Sequence, residues 1–223
     1  MAITGASRGI GLALAVEMAK RGAKLSLCSR NLPDFQPAGG LVERCDISKP
    51  AEVSRWLAET VKKLGRIDIL INNASILGPR CLIADYPKDA WDEVMSVNVN
   101  AVFYVTKTCL NLAMLKQGSG VILNITSGVG RIGKARWGAY AASKFALEGI
   151  NQMLSNELKE KGIISVCLNP EATATAMRAA AYPREDPGTL KSPQELAAAV
   201  AAWLPKLRLE DSGKSFDYKD IRL

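Results

Sequence analysis

Thr4-Gly5-Ala6-Ser7-Arg8-Gly9-Ile10-Gly11 follows a short apolar start, Met1-Ala2-Ile3. It describes a buried strand that turns sharply into a helix over residues 9–21. Glycines at 5, 9 and 11 let the backbone bend tightly and approach a ligand. A helix that starts there points free N–H groups at an anion.

Beyond this turn, apolar runs alternate with helix-period stretches, which argues for βαβ units and a parallel sheet. Strands are expected at 1–4, 23–29, 41–45, 67–72, 120–126, 163–168 and 214–218. Helices are expected near 9–21, 50–64, 88–116, 138–161 and 193–204. Val53, Trp56, Leu57, Val61 and Leu64 repeat at helical spacing, and Ser192-Pro193-Gln194-Glu195 forms a capping box with proline in the first turn. Two segments read as irregular: 31–40, with two prolines and two glycines, and 179–192, with Pro183 and Pro187. No linker or composition shift divides the chain, which predicts one domain over 1–223. The first strand is short, so either the chain is trimmed there or the sheet has a stunted middle.

The 223 residues are 48% hydrophobic and 23% charged, as in a soluble globular chain with one substantial core. No apolar run reaches the roughly 18 residues of a membrane span, and no basic-then-apolar signal opens the chain. The five cysteines form no CxxC pair and histidine is absent, so no metal site is expected. Cys28, Cys45 and Cys167 read as small core residues, consistent with a reducing, cytoplasmic compartment. The net charge is +7, but the basic residues are spread and many sit at helix ends, where they complement the dipole. Neither a nucleic-acid nor a membrane partner is expected. Attraction to anionic substrates or an acidic carrier protein stays open.

Tyr140 and Lys144 stand four residues apart on the expected 138–161 helix, with Ser127 thirteen positions upstream of the tyrosine. At that spacing phenol and ammonium share a helix face. A cation so close is expected to lower the tyrosine pKa from about 10, which suits proton exchange with an alcohol or carbonyl oxygen. The glycine spacing is TGxxxGxG rather than GxGxxG. Together with Asn72-Asn73-Ala74, Asn98, Ser127, Tyr140 and Lys144 in this order, it resembles the classical short-chain dehydrogenase/reductase family. The resemblance runs from residue 1 to about Met177, and more weakly to the end.

The resemblance implies a single doubly wound Rossmann-fold α/β domain, with a mainly parallel sheet of about seven strands and a substrate lid at 179–192. It implies an oxidoreductase moving a hydride between a nicotinamide cofactor and a carbonyl or secondary alcohol. Tyr140 would give the proton, Lys144 would assist it and bond the nicotinamide ribose, and Ser127 would polarise the carbonyl. Asn98 would hold a water linking Lys144 to solvent. Gly5, Gly9 and Gly11 would carry the pyrophosphate, with Ser7 and Ile10 alongside. The second strand ends Leu27-Cys28-Ser29-Arg30, a hydroxyl and a cation where an acidic residue would bind a free 2′-hydroxyl. With Arg8 as a second guanidinium, whose planar fork suits phosphate, NADP(H) is expected over NAD.

Asp46, with Ile47 beside it, either faces the adenine amino group, as the resemblance implies, or accepts a turn hydrogen bond. Asn73 and Ala74 would lie close to the adenosine ribose. Pro170, Thr173, Thr175 and Met177 belong to a segment that would embrace the nicotinamide carboxamide. Ser75 and Glu171 replace the family's usual glycines, and Thr173 its valine. If the turn needs positive φ at 171, glutamate there costs about 1 kcal/mol or more.

The expected substrate is a small carbonyl or alcohol. A 3-ketoacyl thioester on an acidic carrier is an alternative, since Arg131, Lys134 and Arg136 could face such a carrier or form a solvated loop. Trp137 could wall an apolar pocket or pack in the core. A non-catalytic NADP-binding sensor is a second class of reading; a sugar-nucleotide epimerase, with its larger substrate region, fits less well. By resemblance a homodimer or homotetramer is expected through the helices at 88–116 and 138–161. The carboxyl end lacks the usual Asp-Gly-Gly, which favours the dimer.

Overall fold

A computed structural model describes residues 1–222. Its strands are β1 (Ala2–Thr4), β2 (Ser26–Ser29), β3 (Leu41–Arg44), β4 (Ile69–Asn72), β5 (Gly120–Ile125), β6 (Ile163–Asn169) and β7 (Ser215–Asp217). They form one sheet in the order β3-β2-β1-β4-β5-β6-β7, and every ladder is parallel. This is the doubly wound, Rossmann-like arrangement. The chain starts in the middle, runs out to one edge, then switches back past β1 to build the other half. The crevice opens where that direction reverses, at the carboxyl ends of β1 and β4.

The helices are α1 (Gly9–Lys20), α2 (Pro50–Leu64), α3 (Lys88–Met95), α4 (Ala101–Cys109), α5 (Leu115–Gln117), α6 (Gly138–Leu158), α7 (Ala176–Ala181), α8 (Pro193–Trp203) and α9 (Tyr218–Ile221). Alternation along each strand decides which layer a residue enters. Ile3, Leu27, Ile71 and Leu123 pack under α1 and α8, while Ala2, Cys28, Leu70 and Ile122 pack under α2, α4 and the far end of α6. The α2 layer is pinned by a buried polar link: Trp56 Nε1 donates to Ser26 Oγ at 2.8 Å, and Ser26 and Thr60 hydroxyls meet at 2.6 Å. Among the described residues no helix is long and apolar enough to cross a membrane. All five cysteines are free, and Cys28, Cys45, Cys109 and Cys167 are buried.

The capping box at Ser192 and Glu195 forms, with Glu195 N donating to Ser192 Oγ at 3.1 Å and Ser192 N to Glu195 Oε2 at 2.6 Å. Segment 31–40 crosses between β2 and β3 without a helix. Elsewhere the elements depart from the expected ones. The 88–116 helix is interrupted by two π-helical stretches, Ser96–Asn100 and Leu110–Met114. The segment expected to be irregular from 179 is still helical to Ala181, because Thr175 caps α7 by accepting Arg178 N at 3.1 Å. The last turn of the 138–161 helix tightens to 3-10 over Lys159–Lys161, ended by Gly162 in the left-handed region.

Candidate active site

The ends of β1, β2, β4, β5 and β6 converge on one cavity of about 1270 Å³. Its first wall is the glycine turn. Gly5 has φ 67°, and a Cβ there would sit 2.7 Å from Ala74 Cα, so only glycine lets the end of β1 lie against the end of β4. Gly5 N donates to Cys28 O at 2.9 Å. Asn73 Nδ2 reaches across to Thr4 O at 2.9 Å and Gly5 O at 3.1 Å, while Asn73 N donates to Thr4 Oγ1 at 3.0 Å. The Asn73 amide therefore holds the turn in shape. Helix α1 then begins with no side-chain cap, leaving its first N–H groups for an anion in the cavity.

Arg8 and Arg30 flank this turn, both exposed and neither in an ion pair among the described residues. Ser29 is buried, and its hydroxyl donates to Asn31 O at 2.6 Å, which leaves Arg30 as the group facing the opening. Asp46 accepts Ser48 N at 3.1 Å and Ser48 Oγ at 2.7 Å through Oδ1. Of the two readings open for Asp46, the turn acceptor is the one its Oδ1 adopts. Burial pulls its pKa up, but the Ser48 hydrogen bonds, Lys49 and Arg30 together hold it below the usual value.

The second wall carries the titratable groups. Ser127 follows β5 in extended backbone, and its Oγ accepts Val129 N at 3.5 Å. The loop packs directly on α6: a Cβ at Gly130 would sit 2.8 Å from Lys144 backbone, so a larger residue would push the lysine away. Tyr140 and Lys144 are both buried, one turn apart on α6. Lys144 Nζ donates to Ile125 O at 2.9 Å and lies 5.4 Å from the centroid of the Tyr140 ring.

The expected lowering of the tyrosine pKa by Lys144 is not found. Burial pushes the Tyr140 phenol up to about 12, against the pull of a hydrogen bond with Ser127. Burial also pushes Lys144 down to about 8, with Cys167 and Glu148 opposing. Loss of solvation outweighs the neighbouring charge, which is spent on the Ile125 carbonyl.

Gly5, Ser7, Arg8, Gly9, Ile10, Ser29, Arg30, Asp46, Ile47, Asn73, Ala74, Ser127, Tyr140, Lys144, Pro170, Thr173, Thr175 and Met177 all line this cavity, whereas Gly11 and Asn98 do not. Asn98 sits in the first π-helical stretch, 1% exposed. Its Oδ1 accepts Ile76 N at 2.9 Å, and its Nδ2 donates to Ile76 O at 2.9 Å and Ser143 Oγ at 3.0 Å. Ser143 Oγ passes the link to Tyr140 O at 2.7 Å. The amide thus ties the loop after β4 to the turn of α6 that carries Tyr140.

The segment after β6 is held from several sides. Glu171 is exposed with φ 54°, the strained backbone that glutamate disfavours. Its N–H donates to Asn169 Oδ1 at 3.0 Å, and Asn169 Nδ2 donates to Asp217 Oδ1 at 2.9 Å. Lys191 Nζ donates to Ala172 O at 2.8 Å. Thr173 donates to Pro170 O at 3.1 Å, so its hydroxyl is used locally. Ser143 and Asp217 carried no motif that would have singled them out, and each acts on the site through another residue, whereas Asn169 lines the cavity itself.

A family model described as short chain dehydrogenase matches residues 1–186. The chain belongs to the short-chain dehydrogenase family. Among curated relatives, this short-chain dehydrogenase is 38% identical to the uncharacterized oxidoreductase YciK of Escherichia coli K12, over 96% of its own length and 89% of the relative's. It is 33% identical to the 3-oxoacyl-[acyl-carrier-protein] reductase FabG of Salmonella typhimurium, over 89% and 86% of the two chains. A solved short-chain dehydrogenase structure from Escherichia coli CFT073, complexed with NADPH, superposes with a TM-score of 0.88 at 34% identity, covering 98% of this chain and 95% of that one. This chain is accordingly an oxidoreductase of that family.

Proposed function

We propose that this short-chain dehydrogenase is an NADP(H)-dependent reductase of small carbonyl compounds, with Tyr140 as the proton donor. The observation that carries the reading is the meeting of Ser127, Tyr140 and Lys144 on one wall of the cavity whose opposite wall is the anion-accepting turn. The cavity suits a dinucleotide. Gly5 lets the turn close against Ala74, α1 offers an uncapped start, and Arg8 and Arg30 stand free for a 2′-phosphate. The NADPH complex of the solved relative supports the same choice.

When bound, the reduced nicotinamide supplies the hydride. Ser127 Oγ positions and polarises the substrate carbonyl oxygen, and Tyr140 Oη gives its proton to that oxygen as the alcohol forms. Lys144 supplies positive charge beneath the phenol. Asn98, through Ser143, is a positioning residue for the tyrosine. Residues 1–223 act as one domain, with 179–192 as the lid over the substrate.

FabG, as a relative, keeps the carrier-bound 3-ketoacyl thioester in view. Lys134 lines the cavity, but Arg131 is occupied with Asp217 at 2.5 Å and Glu148 at 3.7 Å, so the basic loop has less free charge than its sequence carries. The free small carbonyl is therefore the main reading.

The test is a titration of the purified chain with NADPH and NADH, followed by quenching of its four tryptophans, then a carbonyl panel with the tighter cofactor. NADPH is expected to bind at least tenfold tighter, about 1.4 kcal/mol. Equal affinity, or preference for NADH, would overturn the roles given to Arg8 and Arg30.

A further inference from the structure

The loop that leaves β4 carries Arg80, which has no part in the chemistry above and no ion pair among the described residues. Its guanidinium carbon lies 4.4 Å from the Trp137 ring centroid and 5.1 Å from that of Tyr182. Its Nη1 donates to Ala181 O, the last residue of α7 and 101 positions away in sequence. Its Nε is buried without a hydrogen-bond partner. Arg80 is half-buried with no carboxylate beside it, and ring faces and a helix end, both of which attract positive charge, hold its guanidinium.

The three groups Arg80 touches belong to the segment read as the lid and to the residue that leads into α6. Trp137 begins the catalytic helix, three residues before Tyr140, and its ring is 5.6 Å from the Tyr140 ring and 5.9 Å from that of Tyr182. Ala181 and Tyr182 belong to the lid and line the cavity that Tyr140 lines. Helix α7 is fixed at its start by the Thr175 cap. Arg178 within α7 stacks on Tyr182 at 3.8 Å and grips Glu185 through Nε and Nη2, each at 2.5 Å, but these contacts stay within residues 178–185 and do not reach the helix that carries Tyr140. Arg80 ties the lid to the catalytic helix from a third element.

We propose that Arg80 is a positioning residue that latches the end of α7 against Trp137, and that it thereby sets how large a carbonyl substrate the pocket admits. This rests on the reductase reading of the site. With the latch in place, Ala181 and Tyr182 are held over the phenol and the pocket favours compact carbonyls. Without it, the lid end lifts and bulkier ones enter.

Arg80→Leu and Arg80→Lys, made in the full chain, test the latch. NADPH affinity is expected to stay within about twofold of the unaltered chain in both. Tryptic cleavage after Arg178 and Arg184 is expected to rise about tenfold in Arg80→Leu and to be intermediate in Arg80→Lys, which keeps the charge but loses the planar fork. The ratio of kcat/KM for a bulky aryl ketone to that for a small aldehyde should shift at least tenfold (about 1.4 kcal/mol) towards the ketone, through KM rather than kcat. Unchanged cleavage and an unchanged ratio would overturn the proposal. So would a parallel loss of cofactor affinity and of both activities, which marks a merely structural role. Should Arg80→Leu fail to fold, Tyr182→Leu removes one of the rings that hold the guanidinium and is expected to speed cleavage in the same way. If the unaltered chain reduces no carbonyl, the reductase reading fails on its own, and the cleavage rates still decide the latch.

Discussion

Burial penalises the Tyr140 phenolate and the Lys144 ammonium alike, so it moves the two pKa values in opposite directions, to about 12 and about 8. At neutral pH the tyrosine keeps its proton and most of Lys144 keeps its charge, the state that reduction needs. For carbonyl reduction, kcat/KM is expected to be level at neutral pH and to fall through a midpoint near 8 as Lys144 loses its proton. A rate-versus-pH profile that stays flat through that midpoint would sink the assignment. Tyr140→Phe should lower turnover by about 10²-fold or more while NADPH affinity, read by tryptophan quenching, holds. Retention of near-full turnover would mean another group gives the proton.

At the scale of elements, helix α2 depends on a side-chain link as much as on its apolar stripe. Trp56→Phe keeps most of the ring but leaves Ser26 without the indole N–H, and is expected to cost about 1–2 kcal/mol in urea unfolding. Helix α2 was readable to the residue because its signals are local: Pro50 at the start, Gly65 in the left-handed region at the end, and Val53, Trp56 and Leu57 between. That Tyr140, Lys144, Ser127 and the glycine turn share one cavity was foreshadowed by their spacing and order along the chain. The π-helical stretch that carries Asn98 has no such signature. Its residues read as ordinary helix, and only the Ile76 and Ser143 contacts show what the distortion serves. Arg80 was illegible because its partners lie far along the chain, and the Tyr140 pKa because burial belongs to the fold rather than to a neighbouring charge.

Across the whole molecule, the outward faces of α4 and α6 leave Phe103, Phe145 and Met153 exposed at 52%, 45% and 56%. Phe145 and Met153 are two turns apart and share one side of α6. This is the stripe expected to seat a second copy, so light scattering should give a dimer, and Phe145→Glu should give a monomer that still binds NADPH. A monomeric parent protein would remove the dimer from the reading. The strand order has a separate consequence, in time rather than in space. Because β1 lies inside the sheet, β2 and β3 extend one flank, and β4 to β7 extend the other, every strand after β1 finds a hydrogen-bonding neighbour already made as it leaves the ribosome. Thr4 at the end of β1 and Asn73, just past the end of β4, can therefore meet before Tyr140 has been synthesised, so the glycine turn can be pinned into shape before α6 is laid against it.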